Sequence, residues 1–91
     1  MERIVTVVPE DGLHARPASQ FVETANSFDA EIQVGRTEDD ALVSAASMLA
    51  VTGLNVSHGE EVRLVADGDD AEAALDALEE VLSTPESGDE A

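Results

Sequence analysis

Three short β-branched or alternating runs, Arg3-Ile4-Val5-Thr6-Val7-Val8, Glu31-Ile32-Gln33-Val34 and Glu61-Val62-Arg63-Leu64-Val65-Ala66, are separated by stretches of helical periodicity. Such runs read as strands that bury one face only. A chain of 91 residues built this way has room for one small domain. The first helical stretch places Ala18, Phe21, Val22 and Ala25 on one face at i, i+3, i+4 and i+7. Pro17 suits its first turn, where a missing N–H costs nothing, and Asn26-Ser27 marks its end. Ala41-Leu42-Val43 reads as a further short strand, joined to the second by the turn-like segment 35–40. Ser47 is the expected N-cap of a short helix through Met48-Leu49-Ala50-Val51. A last helix is expected to start near Asp69, with Glu72 completing a capping box, and to present Ala74, Leu75, Leu78, Val81 and Leu82 on one face.

The order β-α-β-β-α-β-α predicts an α+β fold. Its architecture is a two-layer open-faced sandwich, an antiparallel four-stranded sheet with three helices on one face. The domain is expected over residues 1–83, with 84–91 an acidic disordered tail. The core must be aliphatic, because Phe21 and Phe28 are the only aromatic residues. The absence of cysteine excludes disulfides, thiolate metal sites and thiol chemistry. No signal peptide or membrane span is legible, so a cytoplasmic protein without membrane insertion is expected.

Twenty-one acidic residues face four arginines (Arg3, Arg16, Arg36 and Arg63) and no lysine, giving a net charge of −17. That balance argues against nucleic acid as a partner, since binding it needs clustered cations. In dilute solution the excess charge would push a compact fold apart, whereas at molar salt the Debye length falls to about 3 Å. A halophilic protein of a high-salt cytoplasm is the simplest account. The rival, an acidic surface made for a basic partner, would concentrate its charge rather than spread it along the chain.

Chemistry concentrates in Gly12-Leu13-His14-Ala15-Arg16-Pro17-Ala18. There an imidazole and a guanidinium lie two residues apart at a strand-to-helix junction, where free backbone N–H groups and the helix dipole favour an anion. Histidine as a residue type titrates near pH 6.5, so a neutral nucleophilic ring is available at physiological pH. An inert turn histidine, and an arginine that merely pairs with a carboxylate, are the plain alternatives.

With these residues, and with Ser19-Gln20-Phe21-Val22, Phe28, Glu31-Ile32-Gln33-Val34 and the stretch from Ser47 past Gly59, the chain resembles HPr. HPr is the histidine-containing phosphocarrier family of the phosphoenolpyruvate:sugar phosphotransferase system. The resemblance covers nearly the whole domain. It implies a phosphoryl carrier rather than an enzyme, acting without a cofactor or metal. His14 would accept the group on Nδ1 from enzyme I and pass it to a IIA component. Arg16 would be its electrostatic partner, with Ala15, Arg16 and Pro17 forming the phosphate-stabilising helix start. Ser19, Gln20, Met48, Leu49 and Thr52 would form the docking patch; core burial is the alternative for Met48 and Leu49. A monomer is expected. Ser47 matches the serine that a dedicated kinase phosphorylates in some bacteria, although a plain N-cap explains it as well.

The chain departs from the family in an added residue at Glu10-Asp11, a longer hairpin near Thr37–Asp40 and Asn55 where relatives often carry glycine. Basic residues common around the regulatory serine and the docking face are missing, which implies docking tuned to high salt and apolar contact. Other functions open to such a chain are an HPr-like carrier for a dihydroxyacetone kinase subunit or a regulatory branch, and a non-catalytic interaction module. His58, in a Ser-His-Gly loop, reads as a solvated turn residue. The Asp67-Gly68-Asp69-Asp70 cluster reads as a strand-to-helix turn, since it lacks the spacing of a calcium loop.

Overall fold

The computed structural model describes residues 1–38 and 41–84. The elements run β1 (Glu2–Thr6), α1 (Ala15–Asn26), β2 (Glu31–Arg36), β3 (Val43–Ser44), α2 (Met48–Gly53), β4 (Glu61–Asp67) and α3 (Ala71–Ser83). All strand pairs are antiparallel, in the order β1-β4-β2-β3. This is the expected open-faced sandwich. Alternation assigns Val5, Ile32, Val34, Val62, Leu64 and Ala66 to the buried face. Ile4, Gln33 and Arg63 are left on the open side, with Ile4 exposed. Helices α1 and α3 pack together over the sheet, and Phe21, Leu75, Leu78 and Leu82 are fully buried between the layers. Full burial of one such side chain contributes about 1.5–3 kcal/mol, so this small core depends on each of them.

Strand β1 ends at Thr6 rather than Val8, because the next two N–H groups leave β4: Val7 donates to the Glu60 carbonyl and Val8 to that of Leu82. Strand β2 continues through Gly35 and Arg36, which the turn-like composition had placed in the loop. Strand β3 begins two residues later than expected. A Cβ on Gly35 would lie 2.4 Å from the Ala41 carbonyl oxygen, so the missing side chain lets the backbone at residue 41 approach β2 closely. The tip of this hairpin at residues 39–40, and the tail from residue 85, lie outside the described residues.

Helix α1 starts three residues before its apolar stripe, at Ala15, with His14 as its N-cap. The expected capping box of α3 does not form. Asp70, not Asp69, is the N-cap, and its side chain makes no cap bond. Its carboxylate accepts instead from the N–H groups of Asp29, at 2.9 Å, and Ala30, at 2.8 Å. A tertiary pair of donors has outcompeted the local one. The Asp67–Asp70 segment is the strand-to-helix turn it was read to be, with Gly68 at φ +150 and pressed against Ala30.

Candidate functional site

The site rests on two loops laced together. Residues 7–13 lead from β1 into α1, and residues 54–60 lead from α2 into β4. The Leu13 N–H donates to the Val56 carbonyl at 2.9 Å, and the Gly59 N–H to that of Val7 at 2.7 Å. Leu13 and Val56 are both fully buried. Gly12 has φ +71, and a Cβ there would lie 2.4 Å from the Val56 oxygen and 2.8 Å from the Ser57 Cα. Glycine is therefore required twice, by conformation and by space. Gly12→Ala should destabilise the fold by roughly 2–4 kcal/mol, combining left-handed strain with an overpacked backbone contact. For a domain of this size that lowers Tm by roughly 8–30 °C, readable by thermal melting in molar KCl; a melt within a degree or two of the parent would show that the two loops separate freely.

Leu13 anchors the chain one residue before His14. His14 is extended, at φ −136 and ψ 166, and half-buried, and its ring makes no capping bond. Its carbonyl accepts the first helical bond, from the Ala18 N–H at 3.4 Å. Ala15 follows at φ +52, a left-handed conformation that costs a non-glycine residue of order 1–2 kcal/mol. The N–H groups of Ala15 and Arg16 open the helix with no intrahelical acceptor, and Pro17 has none to offer. Pro17 and Ala18 are buried, which seats the first turn in the core while Ala15 and Arg16 stay exposed.

Arg16 stands apart from the other arginines. Arg3 pairs with Asp76 at 2.6 Å and Glu79 at 2.9 Å, Arg36 with Glu60 at 2.7 Å, and Arg63 lies 3.7 Å from Glu2. Among the described residues Arg16 alone of the four has no carboxylate partner. In a chain this acidic, an unpaired guanidinium beside the histidine leaves a positive charge available to an incoming anion.

The expected docking residues lie on α1 and α2, which pack against each other. Leu49 is 85% and Met48 40% exposed, so neither belongs to the core. Gln20 is exposed, and Ser19 and Thr52 are half-buried; the Thr52 hydroxyl is occupied by the Met48 and Leu49 carbonyls. The surroundings are poor in charge. Residues 41–59 contain no Asp, Glu, Lys or Arg, and α1 carries only Arg16 and Glu23. The other described acids lie on the remaining segments, Glu10 and Asp11 of the loop before His14 among them. Ser47 is the N-cap of α2, its Oγ accepting from the Ala50 N–H at 3.2 Å.

His58 is the exposed turn residue its sequence context implies, with one contact that the context does not show. Its Nδ1 lies 2.7 Å from the Val8 carbonyl oxygen, which fixes that nitrogen as the donor and ties the second loop to the first. Nothing local signals a contact spanning fifty positions. Arg36 and Glu60 were likewise missed: they brace the 54–60 loop from the end of β2. The Ser57 N–H and then the Arg36 guanidinium hold the Glu60 carboxyl below its ordinary range, so the pair stays ionised through neutral pH. Among the described residues no helix is long and apolar enough to cross a membrane.

Comparison with known proteins agrees with this geometry. The family model described as the PTS HPr component phosphorylation site matches residues 1–84. The chain is 78% identical over 87 residues to the phosphocarrier protein HPr of the halophilic archaeon Haloferax volcanii, covering 96% of this chain and 98% of the relative. It is 45% identical over 82 residues to that of Streptomyces coelicolor, covering 90% and 87%. An HPr crystal structure from Thermoanaerobacter tengcongensis superposes with a TM-score of 0.88 at 38% identity, over 100% of this chain and 99% of the other. The chain therefore belongs to the HPr phosphocarrier family of the phosphotransferase system.

Proposed function

We propose that His14 takes a phosphoryl group on Nδ1 from enzyme I and yields it to the IIA component of a sugar permease. The observation that carries this reading is that Arg16, which has no carboxylate partner among the described residues, follows an extended N-cap His14 whose ring makes no capping bond. The lone pair of the His14 ring attacks phosphorus, a new N–P bond forms, and the bond between phosphorus and its donor group on enzyme I breaks. No covalent assistance beyond position and charge is needed for such a transfer. Arg16, with the N–H groups of Ala15 and Arg16, meets the charge on the phosphoryl oxygens. Pro17 limits the movement of the turn.

Gln20, Met48, Leu49, Ser19 and Thr52 form the docking surface in this reading. Apolar contact through Met48 and Leu49 on a charge-poor face serves association at high ionic strength, where charge pairs between exposed groups are screened. The test is intact-mass measurement under neutral conditions after mixing the protein with phosphoenolpyruvate and a competent enzyme I at molar KCl. One phosphoryl group is expected, lost on brief acid treatment and located at His14 by fragmentation. No added mass, with enzyme I itself phosphorylated, would leave a non-catalytic interaction module as the better reading.

A further inference from the structure

The Arg36 guanidinium gathers more of the molecule than a surface ion pair does. One Nη donates to the Leu54 carbonyl at 3.3 Å, to that of Asn55 at 3.1 Å and to Glu60 Oε1 at 3.3 Å. The other donates to Glu60 Oε2 at 2.7 Å. Glu60 Oε1 in turn accepts the Ser57 N–H at 2.7 Å. The loop is thus held at residues 54, 55, 57 and 60, on either side of Val56. Asn55 sits at φ +57, a conformation the chain adopts here without glycine while Arg36 holds its carbonyl. Val56 is the residue whose carbonyl takes the Leu13 N–H, one position before His14.

From this placement we infer that Arg36 and Glu60 are positioning residues for phosphoryl transfer at His14, acting through the Val56–Leu13 hydrogen bond. The inference rests on the phosphocarrier reading above. An isolated exposed ion pair contributes little to a fold, typically about 0–1 kcal/mol. This one differs because its partners are the backbone of a loop that carries the anchor of the reacting residue. Releasing it leaves the core side chains in place and lets residues 12–15 shift relative to the docking face. A displacement of about 1 Å at a reacting group can cost about 10²-fold in rate. The docking residues on α1 and α2 are not part of the brace, so recognition of the partner should survive.

The experiment compares Glu60→Ala and Arg36→Met with Arg3→Met, which breaks the pair to Asp76 and Glu79 on α3, away from both loops. All are measured at molar KCl as substrates of enzyme I and phosphoenolpyruvate. Both loop variants should charge roughly 10–100-fold more slowly at saturation, with KM for the carrier within about twofold of the parent. Their Leu13 amide should exchange faster with solvent. Arg3→Met should change neither. If a truncation does not fold, Glu60→Gln, which keeps an acceptor for the Ser57 N–H, takes its place with a smaller loss in the same direction. Parent-like charging rates, a loss confined to KM, or unchanged Leu13 exchange would each overturn the inference. Should the parent itself never charge, the phosphocarrier reading falls, and the positioning role falls with it even if Leu13 exchange responds.

Discussion

His14→Ala will take up no phosphoryl group from phosphoenolpyruvate and enzyme I, and it will melt close to the parent temperature. The two halves of that result separate chemistry from folding. The His14 ring is half-buried and makes no capping hydrogen bond, so its removal breaks no polar side-chain contact among the described residues. Substitutions away from structural contacts usually change stability by no more than about 0.5 kcal/mol. For a domain of this length that is a shift of about 2–4 °C. The phosphoryl group, by contrast, has no other acceptor in the site: Arg16 is a cation, and Ala15 and Pro17 carry no nucleophile. Intact mass after the phosphorylation mixture, read beside a thermal melt of the same sample, gives both halves. Residual phosphorylation of the variant would move the acceptor to another residue. A collapse of stability would make His14 a structural residue first.

Transfer from molar KCl to dilute buffer should unfold the parent protein, and restored KCl should refold it. The net charge of −17 is carried by a molecule whose Cα radius of gyration is 11.8 Å. Two like charges about 10 Å apart in water repel by about 0.4 kcal/mol before screening. Many such pairs act together against a net stability that for small domains is only about 5–15 kcal/mol. At about 10 mM salt the Debye length is about 30 Å, longer than the distance across much of the molecule, whereas at 1 M it is about 3 Å. Few attractions offset the repulsion, since only Arg3, Arg36 and Arg63 have carboxylates at hand among the described residues. Far-UV circular dichroism along a KCl series should therefore rise toward the helical and strand signal of the fold as salt is added. A full signal in dilute buffer would refute the salt requirement and restore the view of the acidic surface as a partner's binding face.

The local signals in the chain carried much of the fold. Alternation in 31–34 and 61–66 sets which face of each strand is apolar, and the stripe of Ala18, Phe21, Val22 and Ala25 does the same for α1. Ser47 as an N-cap needs only its own next residues. His14 and Arg16 were legible for the same reason: two residues apart at a helix start, they are placed by a single turn of backbone. Elements ended elsewhere than expected where a partner distant in sequence made a better bond. Asp70 gives up its cap to hold Asp29 and Ala30, and Val7 and Val8 leave the sheet for Glu60 and Leu82.

The support of the site is of this second kind. Gly12 lies under Val56, His58 reaches Val8, and Arg36 braces Leu54, Asn55 and Glu60. No periodicity or motif encodes these contacts, because each joins segments that meet only after the sheet has formed. The chain alone thus names the residues to which the proposed chemistry is assigned, since nucleophile and charge are properties of side chains at close spacing. How firmly the histidine is held is settled by packing between loops, since rigidity belongs to a network of bonds closed across the fold.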